Sequence, residues 1–269
     1  MPADMGALTA DLAAETADLT AILAPLARPQ WDLPTPAAGW AVRDQVSHLA
    51  YFDETAVVSA LDPERFTREA AAMMSLGDDF TESVARDHRA DPPADLLAWF
   101  ERARAEYLKV FAGLAPSQRL PWYGPPMSAA SSVTARLMET WAHGQDIADA
   151  LGAVRRPTAR LRHVAHLGVA TREFAFRLRG LPVPDGPVRV ELAAPDGDVW
   201  TWGPADAADR VEADALDFCL LVTQRRHRDD VRVTARGDGA SAWLAIAQAF
   251  AGPPGPGRAP LAAGAGGPS

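Results

Sequence analysis

Cysteine occurs once in these 269 residues and tyrosine three times, and Lys109 is the only lysine among 26 Lys and Arg residues. One thiol, Cys219, can make neither an internal disulfide nor a multi-cysteine zinc site, which fits a reducing compartment. It lies in ALDFCLLV, an apolar helical segment, and is expected to be a buried core thiol and not a nucleophile. Any thiol chemistry would then bring its sulfur from outside. No apolar run approaches the length of a membrane span, so no membrane partner is expected. The N-terminus MPADMGALTADLAAE lacks a basic region followed by an apolar one, which makes the cytoplasm the default location. Basic surface is scarce as well: a formal charge of −9 argues against sequence-independent nucleic-acid binding. The shortage of lysine, with abundant Ala, Pro and Gly, is the mark of GC-rich coding.

What is present is enough apolar material, 48% of the chain, for a sizeable core. Helical periodicity covers residues 4–26, and Pro25, Pro29, Pro34 and Pro36 then make a rigid connector with Trp31 and Trp40 as packing plugs. A second helix is predicted over 41–60 and a third region over 63–88, with an irregularity at Gly77-Asp78-Asp79 and Met73-Met74 as core filler. His88 is read as solvated. The next helix, 93–114, carries Glu101, Arg102, Arg104 and Glu106 as an exposed face. Two further helices are predicted over 128–151 and 157–179, the latter opened by Pro157. After Gly180 the texture changes to alternation typical of strands, at 188–192 and 199–200 around a PDGD turn. VEADALDFCLLVTQRRHRDD reads as a helix, VRVTA (231–235) as a strand and GASAWLAIAQAFAG as a closing helix. The fold class is α+β, with a helical bundle over 1–182, a small α+β domain over 183–251 and a disordered tail over 252–269. No strand longer than a single bridge is expected before about residue 180.

Chemistry concentrates in SAASSVTARLMETWAHGQDIADAL, residues 128–151. Pro125 and Pro126 stop what precedes it, Ser128 can cap its first turn, and Gly152 stands just past its end. At about 100° per residue, Ser132, Glu139, His143, Asp146 and Ala150 fall in one stripe, with Arg136 at its edge. Glu139 and His143, four apart, can deliver two ligands to one metal ion from a rigid element. Equally, with Val133, Leu137, Trp141, Ala148 and Leu151 on the opposite side, the stripe can be the wet face of an amphipathic helix. On the second helix His48 shares a face with Asp44, Tyr51, Phe52 and Thr55, and as a lone residue it reads as a hydrogen-bonded core histidine. His163 and His166 sit among arginines and are left out of any metal site. Trp122 and Tyr123, in the stiff loop RLPWYGPPMS, either plug the bundle end or wall a substrate pocket.

W-x-VRDQVSHLAYFDE together with ARLMETWAHGQDIADAL resembles the DinB/YfiT-like metal-binding bundles, and among them the mycothiol-dependent maleylpyruvate isomerase family of actinobacteria. The resemblance implies a divalent metal, usually zinc, held by His48, Glu139 and His143, and a C-terminal domain similar to sterol-carrier-protein folds. It also implies an arginine near the end of a C-terminal-domain helix that reaches the active site. Arg225 fits that place most naturally, with Arg226 and Arg228 as substitutes. Two histidines and one glutamate leave an open position, the pattern of catalytic zinc. Asp146 can orient the His143 imidazole or a bound water, or be a surface carboxylate; Asp44 carries the same alternatives beside His48. The function implied is metal-dependent S-transfer or thiol-assisted isomerisation of a small electrophile, with mycothiol as cosubstrate. A metal-site ligand-binding or regulatory protein, and a hydrolase using metal-bound water, are the competing readings.

Overall fold

Among the described residues, six α-helices build the first of the two units into which the chain divides, Met1–Arg155 and Arg156–Ser269. They are α1 (Met5–Leu23), α2 (Val42–Leu61), α3 (Pro63–Met74), α4 (Phe80–His88), α5 (Pro93–Ala112) and α6 (Ala129–Leu151). The computed structural model describes residues 4–75, 77 and 80–261. Local chemistry sets the helix ends. Asp4 accepts the free amides of Gly6 and Ala7 at the start of α1. Asp44 Oδ2 reaches back 2.8 Å to the Ala41 amide at the start of α2. Ser128 accepts the Ser131 amide at 3.1 Å, and Gly152, at φ 64°, supplies the left-handed residue that ends α6.

Four of these helices share contacts, α1 with α5 and α6, and α2 with α5 and α6. Leu19, Val46, Leu49, Phe100 and Ile147 meet in one buried cluster that Trp31 closes as the plug expected of it. Each such side chain contributes about 1.5–3 kcal/mol by leaving water. α6 has no wet face: Ser132, Arg136, His143 and Asp146 are buried along with Val133 and Leu137. That removes the amphipathic-surface reading of its polar stripe.

The polar residues inside this core form one network. Asp53 on α2 is fully buried between Arg104 Nε of α5 at 2.7 Å and Arg136 Nε of α6 at 2.9 Å. Arg104 also donates to Thr16 of α1 and, at 3.0 Å, to Thr140 Oγ1 of α6, while Arg136 donates to the Leu49 carbonyl at 3.2 Å. Arg104 is therefore not part of an exposed face. Its three donors are satisfied 2% exposed to solvent.

The second unit carries α7 (Leu161–Ala170), α8 (Arg172–Leu178), α9 (Ala215–Val222) and α10 (Asp238–Leu244). Its four-stranded sheet has the order β4-β3-β5-β6, from β3 (Val188–Ala193), β4 (Val199–Trp202), β5 (Asp209–Asp214) and β6 (Val233–Arg236). β3 and β5 run parallel, with Val190 opposite Val211; the other pairs are antiparallel. Gly168 lets α7 close on α9, since a Cβ there would meet Val222 Cγ2 at 2.7 Å. Cys219 is the buried thiol expected, its Sγ 3.5 Å from the Leu161 carbonyl, and burial pushes its pKa up.

Several expectations need correction. The loop at 119–128 is a hairpin, with β1 (Arg119–Leu120) paired to β2 (Met127–Ser128), so strand pairing beyond one bridge does occur before residue 180. The helix expected from Pro157 starts at Leu161 and breaks at Thr171, and both pieces belong to the second unit, so the boundary falls at 155 and not 182. VEAD, read as the start of a helix, is the end of β5. The closing helix stops at Leu244. Met74 is 53% exposed and fills no core. The irregularity at 77–79 rests on Asp78 and Asp79, which lie outside the described residues. So does the tail from Ala262 to Ser269. Its described part has neither helix nor strand, yet it is tied down where Arg258 donates to the Arg225 carbonyl at 2.9 Å and the Leu261 amide to Asp230 Oδ2 at 2.9 Å.

Removing Asp53 would strand two buried guanidiniums. Asp53→Ala is expected to cost about 3–5 kcal/mol of unfolding free energy in urea. A loss below about 1 kcal/mol would show that the network is not what secures these helices.

Candidate metal centre

His48 stands on the second turn of α2, and Glu139 and His143 stand one above the other in the middle of α6, where the packing of α2 on α6 brings them together. One ligand atom from each lies within 4.8 Å of the others. His143 Nε2 is 3.0 Å from Glu139 Oε2, and His48 Nε2 is 3.8 Å from the same oxygen. The two imidazole centroids are 4.5 Å apart. Glu139 keeps 22% of its side chain exposed, so the group is not sealed.

Electrostatics favour a ligand-ready state. Burial, and then the charge of His143, push the His48 imidazole down to about 4, against the pull of Glu139. Burial alone would raise Glu139, but hydrogen bonds and charge from His143 and His48 outweigh it and hold the carboxyl well below the usual carboxylate range. His143 Nδ1 donates to Gln45 Oε1, so when the ring holds a single proton the lone pair is on Nε2. That lone pair faces an ionised carboxylate oxygen at 3.0 Å. Two acceptors this close require a cation between them, either a proton or a metal ion. A proton fills the gap with a hydrogen bond, and His48 adds a hydrogen bond of its own to the same carboxylate. A divalent ion uses all three donors, because two ligands on a tetrahedral ion with bonds near 2.0–2.1 Å sit about 3.3 Å apart. The donor set fits zinc and related divalent ions.

The structure distributes the other candidates differently from expectation. Gln45 is hydrogen-bonded to the His143 imidazole, and Asp146, for which orienting that ring or a bound water was one alternative, is buried and so no surface carboxylate. Asp44 caps α2 and accepts from Arg89 Nε at 3.1 Å, which removes it from His48. Trp40, expected only to plug, stacks on His143 with centroids 6.0 Å apart and lies 5.2 Å from His48, while its indole N–H donates to Glu82 at 3.1 Å. Trp122 and Tyr123, at the hairpin tip, reach the site through Phe52. That ring is 4.6 Å from His48, 6.2 Å from Trp122 and 5.7 Å from Tyr123. Phe66 stacks on Trp122 and Phe80 on Tyr123, so the tip packs into an aromatic cluster. Arg225 belongs to the second unit, where Nη1 donates to the Thr223 carbonyl at 2.8 Å and the guanidinium lies 5.9 Å from the Phe250 centroid. His88 pairs with Asp91 at 2.8 Å and leans on Trp99, while His166 accepts from Trp202 Nε1 at 3.3 Å; neither joins the group.

A pH dependence follows. Above its unfolded pKa of 6.5 His48 is neutral folded or unfolded and contributes nothing. As pH falls from 6.5 toward 4, the unfolded chain binds a proton that the folded chain refuses, so stability is lost. The depressed Glu139 acts in the same sense at lower pH. For His48 the loss between about pH 7 and 5 is about 2 kcal/mol. Urea unfolding of the metal-free protein should show it, and His48→Gln should remove most of it. Identical pH dependence in parent and variant would contradict the assignment.

Residues 12–148 match the family described as the mycothiol maleylpyruvate isomerase N-terminal domain, and residues 184–236 match one described as wyosine base formation. Two uncharacterized proteins of Mycobacterium tuberculosis, from strains CDC 1551 / Oshkosh and ATCC 25618 / H37Rv, are each 48% identical over 256 residues, covering 95% of this chain and 100% of their own. A crystal structure of the mycothiol-dependent maleylpyruvate isomerase is similar in fold, with a TM-score of 0.57 at 14% identity over 86% of this chain and 92% of that one. A histidine-to-alanine mutant of that isomerase gives 0.58 at the same identity and coverage. The chain that carries His48, Glu139 and His143 on two packed helices belongs to the mycothiol maleylpyruvate isomerase N-terminal domain family.

Proposed function

We propose that this protein is a divalent-metal-dependent enzyme that uses a small thiol, mycothiol, for thiol-assisted isomerisation or S-transfer on a small electrophile. The observation that carries the reading is the convergence of His48, Glu139 and His143 within 4.8 Å, in a chain of this family. A zinc or similar ion held there would supply positive charge that favours the thiolate of a neighbouring thiol.

The chain's own residues do the rest. Glu139 presents a negative charge and His48 a neutral imidazole, with the His143 ring as the third donor. Trp40 and Phe52, packed on the histidines, keep water from one side and offer apolar surface to the electrophile. Trp122 and Tyr123 extend that wall and are the proposed substrate-binding residues. Addition of a thiolate sulfur to an activated double bond converts it to a single bond. The displaced electron pair rests on the conjugated carbonyl as an enolate, and after rotation its collapse expels the same thiolate and re-forms the double bond as trans, so the net change is geometric. For Arg225 we propose contact with a carboxylate of the substrate or of the thiol.

The assay pairs mycothiol with maleylpyruvate, the substrate in the name of the structural neighbours, and then with other small electrophiles. Turnover should require both thiol and metal, disappear with chelator and return with zinc. The His48→Ala, His143→Ala double variant should lose metal at least about tenfold and turnover with it. Turnover that ignores the thiol would replace this reading with metal-assisted hydrolysis. Full metal binding by the double variant would remove the site. Arg225→Leu should lower turnover by more than about threefold with metal content unchanged.

A further inference from the structure

Which nitrogen of His143 carries the proton decides whether Nε2 can act as a ligand, and a ring nitrogen's proton is set by what its other partner can accept. The relevant chain of hydrogen bonds begins 103 residues away in sequence terms at a backbone carbonyl. The connector before α2 folds back on itself: the Thr35 amide donates to the Trp40 carbonyl at 2.8 Å, and Pro34 bridges Ala41. The Thr35 hydroxyl donates to the same Trp40 carbonyl, at 2.8 Å. A carbonyl oxygen can only accept, so this hydroxyl spends its single proton there and presents a lone pair on its other side. Gln45 Nε2 fills that lone pair at 2.8 Å. With its NH2 group fixed on Thr35, the Gln45 amide has only Oε1 to turn toward His143, and it accepts from Nδ1. Every direction in the sequence Trp40, Thr35, Gln45, His143 is thus forced from its fixed end.

We propose that Thr35 and Gln45 are positioning residues that lock His143 as the Nδ1–H tautomer and so hold its Nε2 lone pair toward Glu139 and His48. A rotated Gln45 amide would offer NH2 to Nδ1 and drive the proton to Nε2, where it would be spent on Glu139, 3.0 Å away. Thr35 and Gln45 are both buried, so water does not replace either partner cheaply. The use of a neutral amide where a carboxylate would serve also matters. Gln45 orients the ring without adding a second negative charge beside Glu139, which leaves more of a bound cation's charge for the thiol or substrate. The inference rests on His143 being a metal ligand, but the proton that Gln45 holds on Nδ1 is a property of the metal-free chain as well.

Two measurements test it on the full-length protein. The first is the 15N spectrum of histidine-labelled, metal-free protein at about pH 8, with His143 assigned by its loss in His143→Ala. The parent should show Nδ1 protonated, and Gln45→Leu should leave Nδ1 bare with the ring proton on Nε2. The second is zinc affinity by competition with a chromophoric chelator. Gln45→Leu should weaken it about 10–100-fold. Thr35→Val should weaken it by more than about threefold alone but by less than about twofold in the Gln45→Leu background, because the two act in one series. Thr35→Ser, which keeps the hydroxyl, should keep the parent value. An unchanged tautomer and a zinc affinity within about twofold in Gln45→Leu would overturn the proposal, as would equal effects of Thr35→Val in both backgrounds. If the parent binds no zinc, the metal reading fails while the 15N result still decides the tautomer.

Discussion

The first unit depends on the Asp53 carboxylate, because all four of its long helices meet there through side-chain donors. Thr16 of α1 and Arg104 of α5 are joined, Arg104 and Arg136 both hold Asp53 of α2, and Thr140 of α6 accepts from Arg104. A buried ionic triad is a poor source of net stability, since desolvation offsets most of its Coulomb gain. Its geometry is demanding, however, and a slip of one turn in α2 or α6 would leave charges unpaired in the core. His48 precedes Asp53 on α2, and Glu139 and His143 follow Arg136 on α6, so the same register that pairs the ions aligns the three donors. The Arg136 charge adds a smaller downward push on His48.

Above this network the site is assembled from short and long range contacts of different kinds. Glu139 and His143 need only the helix that carries them. His48 needs the packing of α2 on α6, and the protonation of His143 needs the connector that places Thr35 and Trp40. Trp40 serves twice, with its ring against both histidines and its carbonyl at the head of the hydrogen-bond chain. The aromatic tip of the β1–β2 hairpin reaches the same place through Phe52, so the His–Glu group and the aromatic cluster share one anchor.

What could be read from the sequence was what is encoded locally. The span of α6 follows from Ser128, Gly152 and an unbroken period, and the Glu139–His143 pair follows from that span. Spacing alone did not select His48; family resemblance did. Gln45 and Trp40 were missed because their partners lie 98 and 103 positions away, and neither a glutamine nor a tryptophan announces a metal neighbour. Arg104 was misread because a charged residue on a helix is usually solvated, and nothing local reveals Asp53. VEAD has helix-favouring Ala and Glu, but pairing of β5 with β3 and β6 overrides that preference.

The central claim is that two imidazoles and one carboxylate of this chain hold a single divalent ion. Zinc-edge X-ray absorption of the zinc-loaded protein tests it most directly, because it counts imidazole ligands without assuming a reaction. The account predicts two imidazole nitrogens and one carboxylate oxygen at about 2.0–2.1 Å, with a further light-atom position that exchanges for sulfur at about 2.3 Å when thiol is added. A first shell with fewer than two imidazoles, or one unchanged by His48→Ala, would contradict it.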